Sequence, residues 1–181
     1  MLKLTGRTDA AGLTLLAADD VWRVCLPGED DPGKRLACLL PTGEQQPVVG
    51  YGLYLAREGG FAAPGPVIRL GQDLAHVEAG DIIHVPADGR RVTVLWKNSA
   101  THNGLLLTER CDNYCLMCSQ PPKDRDDSWL FDRAREVITL LPRTARALSL
   151  TGGEPTLQAE ALLCLLTHIK QTRPDLSVHL L

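Results

Sequence analysis

The chain has 181 residues, a formal net charge of −3 and an apolar content of 44%, which predicts one ordinary globular domain or two small ones. It contains no basic block and few aromatic residues, which argues against nucleic acid as a partner. No uninterrupted apolar stretch is long enough to span a bilayer, and the N-terminus lacks the apolar core of a secretory signal. We therefore expect a cytoplasmic protein with no membrane partner.

Residues 1–100 have the pattern of a small, mainly-β N-terminal domain. Short apolar runs alternate with turn signals, and the pair Asp88 and Gly89 predicts the turn of a β-hairpin. Pro27 with Gly28, and the segments 31–33 and 41–43, predict further turns, while 57–66 is rich in Gly, Ala and Pro and predicts a loop. The predicted strands are 13–17, 21–26, 35–40, 48–56, 81–85 and 91–96.

Residues 101–181 change to a β-α-β-α-β rhythm, which predicts parallel strands with right-handed crossovers in an α/β fold. The first helix is expected to begin at the capping residues Asp126, Asp127 and Ser128 and to end near residue 140, and Thr156 is expected to cap the second. A largely apolar stripe is predicted on the first helix. Its members are Trp129, Leu130, Arg133, Val137, Leu140 and Leu141. The predicted strands are 105–108, 147–150 and 177–181, and the second helix is 156–171.

Three cysteines, Cys111, Cys115 and Cys118, form a C-x3-C-x2-C motif directly after the strand 105–108. Thiolates are soft ligands that suit iron–sulfur clusters, zinc and copper. A cubane cluster normally takes four cysteines, so three leave one iron without a protein thiolate, as a catalytic metal site requires. The alternatives are three incidental cysteines or a zinc knuckle, in which His102 completes a Cys3His site.

The other three cysteines, Cys25, Cys38 and Cys164, each lie within an apolar run. Apolar neighbours predict buried thiols of low reactivity. We therefore expect all three to be structural and none of them to be needed as a cluster ligand.

A second motif, Gly152, Gly153, Glu154 and Pro155, follows the strand 147–150. Two glycines permit close backbone approach to a ligand and unusual dihedral angles. Glu154 can accept hydrogen bonds from an ammonium group, and Pro155 stiffens the exit from the motif. The same four residues also suit an ordinary strand-to-helix turn, so the motif alone leaves both interpretations open.

Together the two motifs resemble those of the radical S-adenosylmethionine (radical SAM) enzymes, which combine a C-x3-C-x2-C loop with a "GGEP" motif after the second barrel strand. The run from Cys115 to Lys123, Cys-Leu-Met-Cys-Ser-Gln-Pro-Pro-Lys, is similar to the maturase of the His-Xaa-Ser repeat peptide system, a branch of that family. This resemblance covers mainly residues 100–181.

The resemblance implies two cofactors. Cys111, Cys115 and Cys118 would hold a [4Fe-4S] cluster, whose open iron is chelated by the amino and carboxylate groups of S-adenosylmethionine. Residues 152–155 would hold the methionine end of that cofactor, and Met117, at a position that is often aromatic in the family, would lie near the adenine. The implied reaction is reductive cleavage to methionine and a 5′-deoxyadenosyl radical, which abstracts hydrogen from a peptide.

The implied fold is a partial (βα)6 barrel, of which residues 101–181 supply about two and a half units. We therefore expect a truncated maturase. Its implied partners are a His-Xaa-Ser repeat peptide as substrate, a ferredoxin- or flavodoxin-type reductant and a companion maturase. The alternative is a truncated, non-catalytic module that binds an iron–sulfur cluster or a partner protein. No side chain of the chain is assigned as a catalytic acid, base or nucleophile.

Overall fold

The computed structural model describes residues 4–8, 16, 20–30, 35–40, 49–57, 63–118 and 121–181. These residues form a mixed α/β protein with one seven-stranded sheet, one three-stranded sheet and two α-helices. The α/β class expected from the sequence is therefore confirmed. The chain divides into two compact units between Ser99 and Ala100.

The first unit is built on the seven-stranded sheet, with strand order β1-β7-β6-β2-β3-β4-β5. The pairs β1–β7, β7–β6 and β6–β2 are antiparallel, whereas β2–β3, β3–β4 and β4–β5 are parallel. A short 3₁₀ helix, Gln72–Leu74, follows the last of the parallel strands. The strands are β1 (Leu4–Arg7), β2 (Asp20–Cys25), β3 (Leu36–Leu39), β4 (Leu53–Ala56), β5 (Val67–Arg69), β6 (Ile82–Val85) and β7 (Arg91–Trp96).

The predicted hairpin at Asp88 and Gly89 is confirmed, because it joins the antiparallel strands β6 and β7. Gly89 has φ of 63°, a conformation that costs a residue with a side chain more than it costs glycine. The N–H of Gly89 donates to the carbonyl of Pro86 at 2.8 Å, which closes the turn. The turn chemistry therefore sets the register of this strand pair.

Four of the other predictions for the first unit match its strands to within one residue at each end, namely 21–26, 35–40, 81–85 and 91–96. The predicted strand 48–56 is wrong in its first half, since β4 begins only at Leu53 and residues 49–52 are not in a strand. The turns at 31–33 and 41–43 lie outside the described residues, as does nearly all of the predicted strand 13–17. The sequence interpretation missed the short strands β1 and β5.

Cys25 and Cys38 are both buried in the first unit, as expected. They are register partners on the adjacent parallel strands β2 and β3, and both are fully excluded from solvent. Burial, followed by the proximity of Cys38, raises the pKa of the Cys25 thiol to about 12, and burial also raises the pKa of Cys38. Both thiols are therefore protonated at neutral pH and are poor nucleophiles.

The second unit is a β-α-β-α-β arrangement on a three-stranded sheet of order β10-β9-β8. Both strand pairs are parallel, which confirms the expected parallel sheet. Among the described residues, neither α-helix combines the length and apolarity that crossing a bilayer demands. The elements are β8 (Gly104–Leu106), α1 (Trp129–Leu140), β9 (Ala147–Thr151), a 3₁₀ helix (Pro155–Gln158), α2 (Ala159–Thr172) and β10 (Ser177–Leu180).

Helix α1 begins and ends where the sequence predicts, but its predicted apolar stripe is partly wrong. Trp129 is 46% exposed, and the guanidinium of Arg133 lies 4.5 Å from the centroid of its ring. This cation–π pair occupies the outer face of the helix, since residues four apart lie one above the other. The residues that α1 buries are Leu130, Phe131, Ala134, Val137, Ile138 and Leu140.

Helix α2 buries Leu162, Leu165 and Ile169, whose spacing of three and four residues places them on one face. Cys164 lies between the first two of these and is exposed, so the prediction that this thiol is buried was wrong. The apolar run that surrounds Cys164 extends around the helix, and only one face of the helix is buried. Leu163, in the same run, is 63% exposed for the same reason.

We predict that a maleimide reagent labels Cys164 in the native protein within the time that leaves Cys25 and Cys38 unmodified. Burial and a raised pKa suppress thiolate formation at the two sheet cysteines, whereas Cys164 is accessible. Peptide mapping by mass spectrometry measures the labelling, and the same protein in urea is the control in which all three react. Rapid labelling of Cys25 without urea would contradict the described packing of the first unit.

Candidate functional site

The two sequence motifs come together at the carboxyl ends of adjacent parallel strands. Four residues lie between β8 and Cys111, and the last three of them, residues 108–110, are named the lead segment, because they lead into the cysteine loop (residues 111–118). The N–H of Gly153 donates to the carbonyl of Thr108 at 2.9 Å, and the N–H of Glu154 donates to that of Arg110 at 2.8 Å. The second motif is therefore hydrogen-bonded to the lead segment through residues 153 and 154, and the two motifs form one site.

Gly152 and Gly153 are required by this close approach. A Cβ on Gly153 would lie 2.1 Å from the carbonyl oxygen of Arg110 and 2.8 Å from the Cβ of Cys111. A Cβ on Gly152 would lie 2.6 Å from the carbonyl oxygen of Thr108. Neither glycine has a positive φ, so the expectation of unusual dihedral angles is wrong for this pair. The glycines instead allow the cysteine loop to start against the second motif.

The three thiols of the cysteine loop differ in their accessibility to solvent. Cys115 and Cys118 are exposed, and Cys111 is half-buried where it adjoins Gly153. The N–H of Cys118 donates to the carbonyl of Cys115 at 3.0 Å, and the N–H of Asn113 donates to the sulfur of Cys111 at 3.4 Å. The backbone therefore turns once directly after Cys111 and once between Cys115 and Cys118.

The donor set has the chemistry that an iron–sulfur cluster requires, namely three soft thiols on one accessible loop. In the part of the chain that the structure describes, no three His, Cys, Asp or Glu side chains are yet gathered around a common point. The residues fit a cluster by type and by placement on one loop, and binding of a cluster would require the three sulfur atoms to move closer together.

His102 is badly placed to complete a Cys3His zinc site. It precedes β8, whereas the cysteine loop follows the other end of that strand. Its Nδ1 lies 3.0 Å from the hydroxyl of Thr101. The strand thus separates this imidazole from the thiols, which disfavours the zinc interpretation.

Apolar side chains between the cysteines point away from the protein. Met117 is 93% exposed, Leu116 is fully exposed and Tyr114 is 85% exposed. Exposure of three neighbouring apolar side chains on one loop is unusual for a surface turn and typical of a binding surface. Met117 is therefore accessible to a ligand bound over the cysteine loop, as its predicted role near an adenine requires.

Glu154 has one carboxylate oxygen committed to local structure and one directed to the cysteine loop. Its Oε1 accepts hydrogen bonds from the N–H and the hydroxyl of Thr156, at 3.0 and 2.6 Å, and its Oε2 accepts one from the side-chain amide of Asn113 at 3.3 Å. The hydrogen bonds from Thr156 lower the pKa of Glu154, so it is a carboxylate at neutral pH. An anion is therefore held beside the cysteine loop.

The capping role expected of Thr156 belongs to Glu154. Glu154 is the N-cap of the 3₁₀ helix that precedes α2, with Pro155 at the first helical position and Thr156 donating to the cap. Proline suits that position because an N–H there has no intrahelical partner, so its absence removes no hydrogen bond. Pro155 is buried at the exit of the second motif.

Ionic pairs surround the lead segment on its exposed side. Glu109 forms ion pairs with Lys123, at 2.6 Å, and with Arg125. The hydrogen bond from Lys123, followed by that from Arg125, lowers the pKa of the Glu109 carboxyl. Arg110 is half-exposed and lies 4.0 Å from Asp124, a separation at which an exposed pair contributes little. Glu109 therefore joins the lead segment to the chain that follows the cysteine loop.

Asp127 is the residue of the site that sequence reasoning misassigned. It was expected to cap α1, but Ser128 is the N-cap, without a side-chain bond, and Asp127 is fully buried. Its carboxylate accepts hydrogen bonds from the hydroxyl of Thr108 and the N–H of Glu109, both in the lead segment, and from the side-chain amide of Gln158. The sequence shows two aspartates before the helix, and both were expected to cap it. Only the side chain of Asp126 accepts a hydrogen bond from the N–H of Ser128.

Comparison with known proteins bears on the second unit. Residues 100–181 match the family model of the 4Fe-4S single cluster domain. Neither the curated proteins nor the solved structures give a significant match to the chain. The family match supports an iron–sulfur protein with a 4Fe-4S cofactor, and it gives no link to His-Xaa-Ser peptides.

We predict that Gly153→Ala destabilises the second unit by about 1–3 kcal/mol, because an added methyl group must displace the backbone of Arg110 and Cys111. Urea denaturation followed by the helical circular dichroism signal, to which α1 and α2 contribute, measures the change. Leu163→Ala, on the exposed face of α2, is the control and should change the unfolding free energy by less than about 0.5 kcal/mol. Equal effects of the two variants would show that the close approach is unimportant.

Proposed function

We propose that the chain is a radical SAM protein, in which the cysteine loop holds a [4Fe-4S] cluster and the second motif binds S-adenosylmethionine. The observation that carries this proposal is the direct hydrogen bonding of residues 153 and 154 to the lead segment of the cysteine loop. Two motifs about forty residues apart in sequence form one site at the carboxyl ends of parallel strands, where α/β proteins place their ligands. The family match to a 4Fe-4S domain supports the cluster.

Each residue has a distinct task in this proposal. Cys111, Cys115 and Cys118 would ligate the cluster, leaving one iron for a second cofactor. The carboxylate of Glu154 would accept hydrogen bonds from the ammonium group of S-adenosylmethionine, exchanging its weak bond from Asn113 for a charge-assisted one. Met117 would cover a face of the adenine with its polarisable thioether.

Held by Cys111, Cys115, Cys118 and residues 152–155, the two cofactors would supply the one-electron reductive cleavage of S-adenosylmethionine and, through it, hydrogen abstraction from the substrate. The chain itself orients the cofactor and limits the access of water to it. We propose a His-Xaa-Ser repeat peptide as substrate, because residues 115–123 resemble that branch of the family. A ferredoxin- or flavodoxin-type reductant and a companion maturase complete this proposal, which places the reaction in the cytoplasm.

The same proposal assigns a role to each unit. The three parallel strands of the second unit would be the first part of a (βα)6-type barrel, since both motifs follow strands in the order that the family requires. The first unit would be an N-terminal domain that precedes this barrel.

A second candidate is a non-catalytic iron–sulfur or partner-binding module. It is favoured by the exposed Tyr114, Leu116 and Met117, which would serve a protein partner as well as a nucleotide. As an iron–sulfur module it needs the same three thiols as the enzyme. Binding and cleavage of S-adenosylmethionine therefore distinguish the two candidates, whereas iron content does not.

We predict that anaerobic reconstitution with iron and sulfide gives a brown protein, and that replacing Cys111, Cys115 and Cys118 by alanine abolishes its visible absorption band. The reason is that three thiolates on one loop are the ligands of the cluster. The control is Cys164→Ala, which removes an exposed thiol of the same unit and should leave iron and sulfide content unchanged. Full cluster content in the triple variant would place the cluster elsewhere.

We predict that Glu154→Gln weakens binding of S-adenosylmethionine to the reconstituted protein by about tenfold, because a hydrogen bond to a charged acceptor is lost while the size of the side chain is kept. Equilibrium dialysis measures the affinity, and Glu160→Gln, an exposed carboxylate at the start of α2, is the control. Formation of 5′-deoxyadenosine after reduction with dithionite supports the enzyme. A brown protein that neither binds nor cleaves the compound is the non-catalytic module.

A further inference from the structure

We propose that Asp127 is a positioning residue that holds the lead segment in place, so that Cys111 is presented for ligation. This inference rests on the proposed function, because it assigns a support to the proposed cluster loop. Asp127 lies nine residues beyond Cys118, and its side chain belongs to the junction between the cysteine loop and α1. Its contacts nevertheless reach back to the two residues at positions 108 and 109.

The contacts of Asp127 use its whole carboxylate. The hydroxyl of Thr108 lies 3.0 Å from both oxygen atoms, the N–H of Glu109 donates to Oδ2 at 2.6 Å, and the side-chain amide of Gln158 donates to Oδ1 at 3.2 Å. The hydroxyl of Thr108 in turn accepts from the N–H of Arg110 at 3.0 Å. Asp127 thus holds the N–H of residue 109 directly and that of residue 110 through Thr108.

Burial makes the hydrogen bonds of the Asp127 carboxylate difficult to break. Asp127 and Thr108 have no solvent-accessible surface. A buried carboxylate that loses its hydrogen-bond donors carries a large desolvation cost. Moving any of the three donors away from Asp127 is therefore unfavourable. The arrangement is therefore rigid compared with a surface turn.

The carbonyl groups of the lead segment are also hydrogen-bonded. The carbonyls of Thr108 and Arg110 accept from the N–H groups of Gly153 and Glu154, and the carbonyl of Glu109 accepts from the N–H of Lys123 at 2.9 Å. Between them, Asp127, Thr108, Lys123 and the second motif give a hydrogen-bond partner to every backbone N–H and carbonyl of residues 109 and 110. The residue immediately before Cys111 therefore has little freedom, and the buried carboxylate is the part of this support that no motif contains.

The side-chain amide of Gln158 extends the support to the second helix. It donates to Asp127 and also lies 3.3 Å from the hydroxyl of Thr108. Gln158 ends the 3₁₀ helix that begins with the second motif, at Pro155. One buried carboxylate consequently connects both motifs through side chains, in addition to their backbone pairing.

The experiment compares Asp127→Ala, Thr108→Val and Thr108→Ser in the full chain. Valine keeps the shape of Thr108 but removes the hydroxyl, whereas serine keeps the hydroxyl and serves as the conservative control. The first readout, on the protein without iron, is hydrogen exchange of the Glu109 and Arg110 amides by nuclear magnetic resonance. The second is the rate at which a chelator removes iron from the reconstituted protein, followed by the visible band.

We expect exchange at the Glu109 amide to become at least about tenfold faster in Asp127→Ala, and exchange at Arg110 to do so in Thr108→Val. Iron loss should accelerate by about tenfold in both, and Thr108→Ser should behave as the wild type. The amide of Arg173, which donates to Ile169 at the end of α2, is the reference and should not change. If Asp127→Ala does not fold, the valine and serine pair still decides the question.

Unchanged amide exchange and iron retention in Thr108→Val would overturn the inference, as would equal acceleration at Arg173, which indicates global rather than local loosening. Wild-type protein that protects both amides but takes up no cluster would instead refute the proposed function. In that case the exchange data alone still confirm or refute the support of the lead segment by Asp127. The two failures are therefore distinguishable.

Discussion

The second unit depends on the approach of the second motif to the lead segment of the cysteine loop. Two backbone hydrogen bonds, from Gly153 and Glu154, extend the pairing of β8 with β9 beyond the ends of both strands. The distance is short enough that a Cβ on residue 152 or residue 153 would clash with a carbonyl oxygen of the lead segment. The site is therefore a continuation of the parallel sheet, and the position of Cys111 follows from the register of that sheet.

A buried anion adjacent to this pairing makes the arrangement specific. Backbone pairing alone allows a segment to slip, whereas the carboxylate of Asp127 accepts only from donors at fixed places, residues 108, 109 and 158. Misplacing the lead segment would leave the carboxylate buried without its donors, which costs more than the loss of one neutral hydrogen bond. Burial thus turns three ordinary hydrogen bonds into a constraint on the start of the cysteine loop.

The sequence predicted those features that follow from local pattern. The hairpin at Asp88 and Gly89, the β-α-β-α-β order and the placement of both motifs after strands depend on turn chemistry and periodicity, and all are present. Cys164 was misjudged because an apolar run on a helix does not reveal which face packs. The role of Asp127 depends on donors nineteen and thirty-one residues away, a relation that no local pattern contains.

The same reasoning explains why the cysteine spacing predicts a ligand set but not its geometry. The lead segment is held from both sides, so the position of Cys111 is defined before any metal binds, whereas Cys115 and Cys118 lie on exposed backbone beyond that support. A metal that gathers all three thiolates must therefore order the exposed part of the loop, and its binding free energy includes that ordering. A preformed first ligand reduces this cost, because only two of the three thiols have to be brought into position.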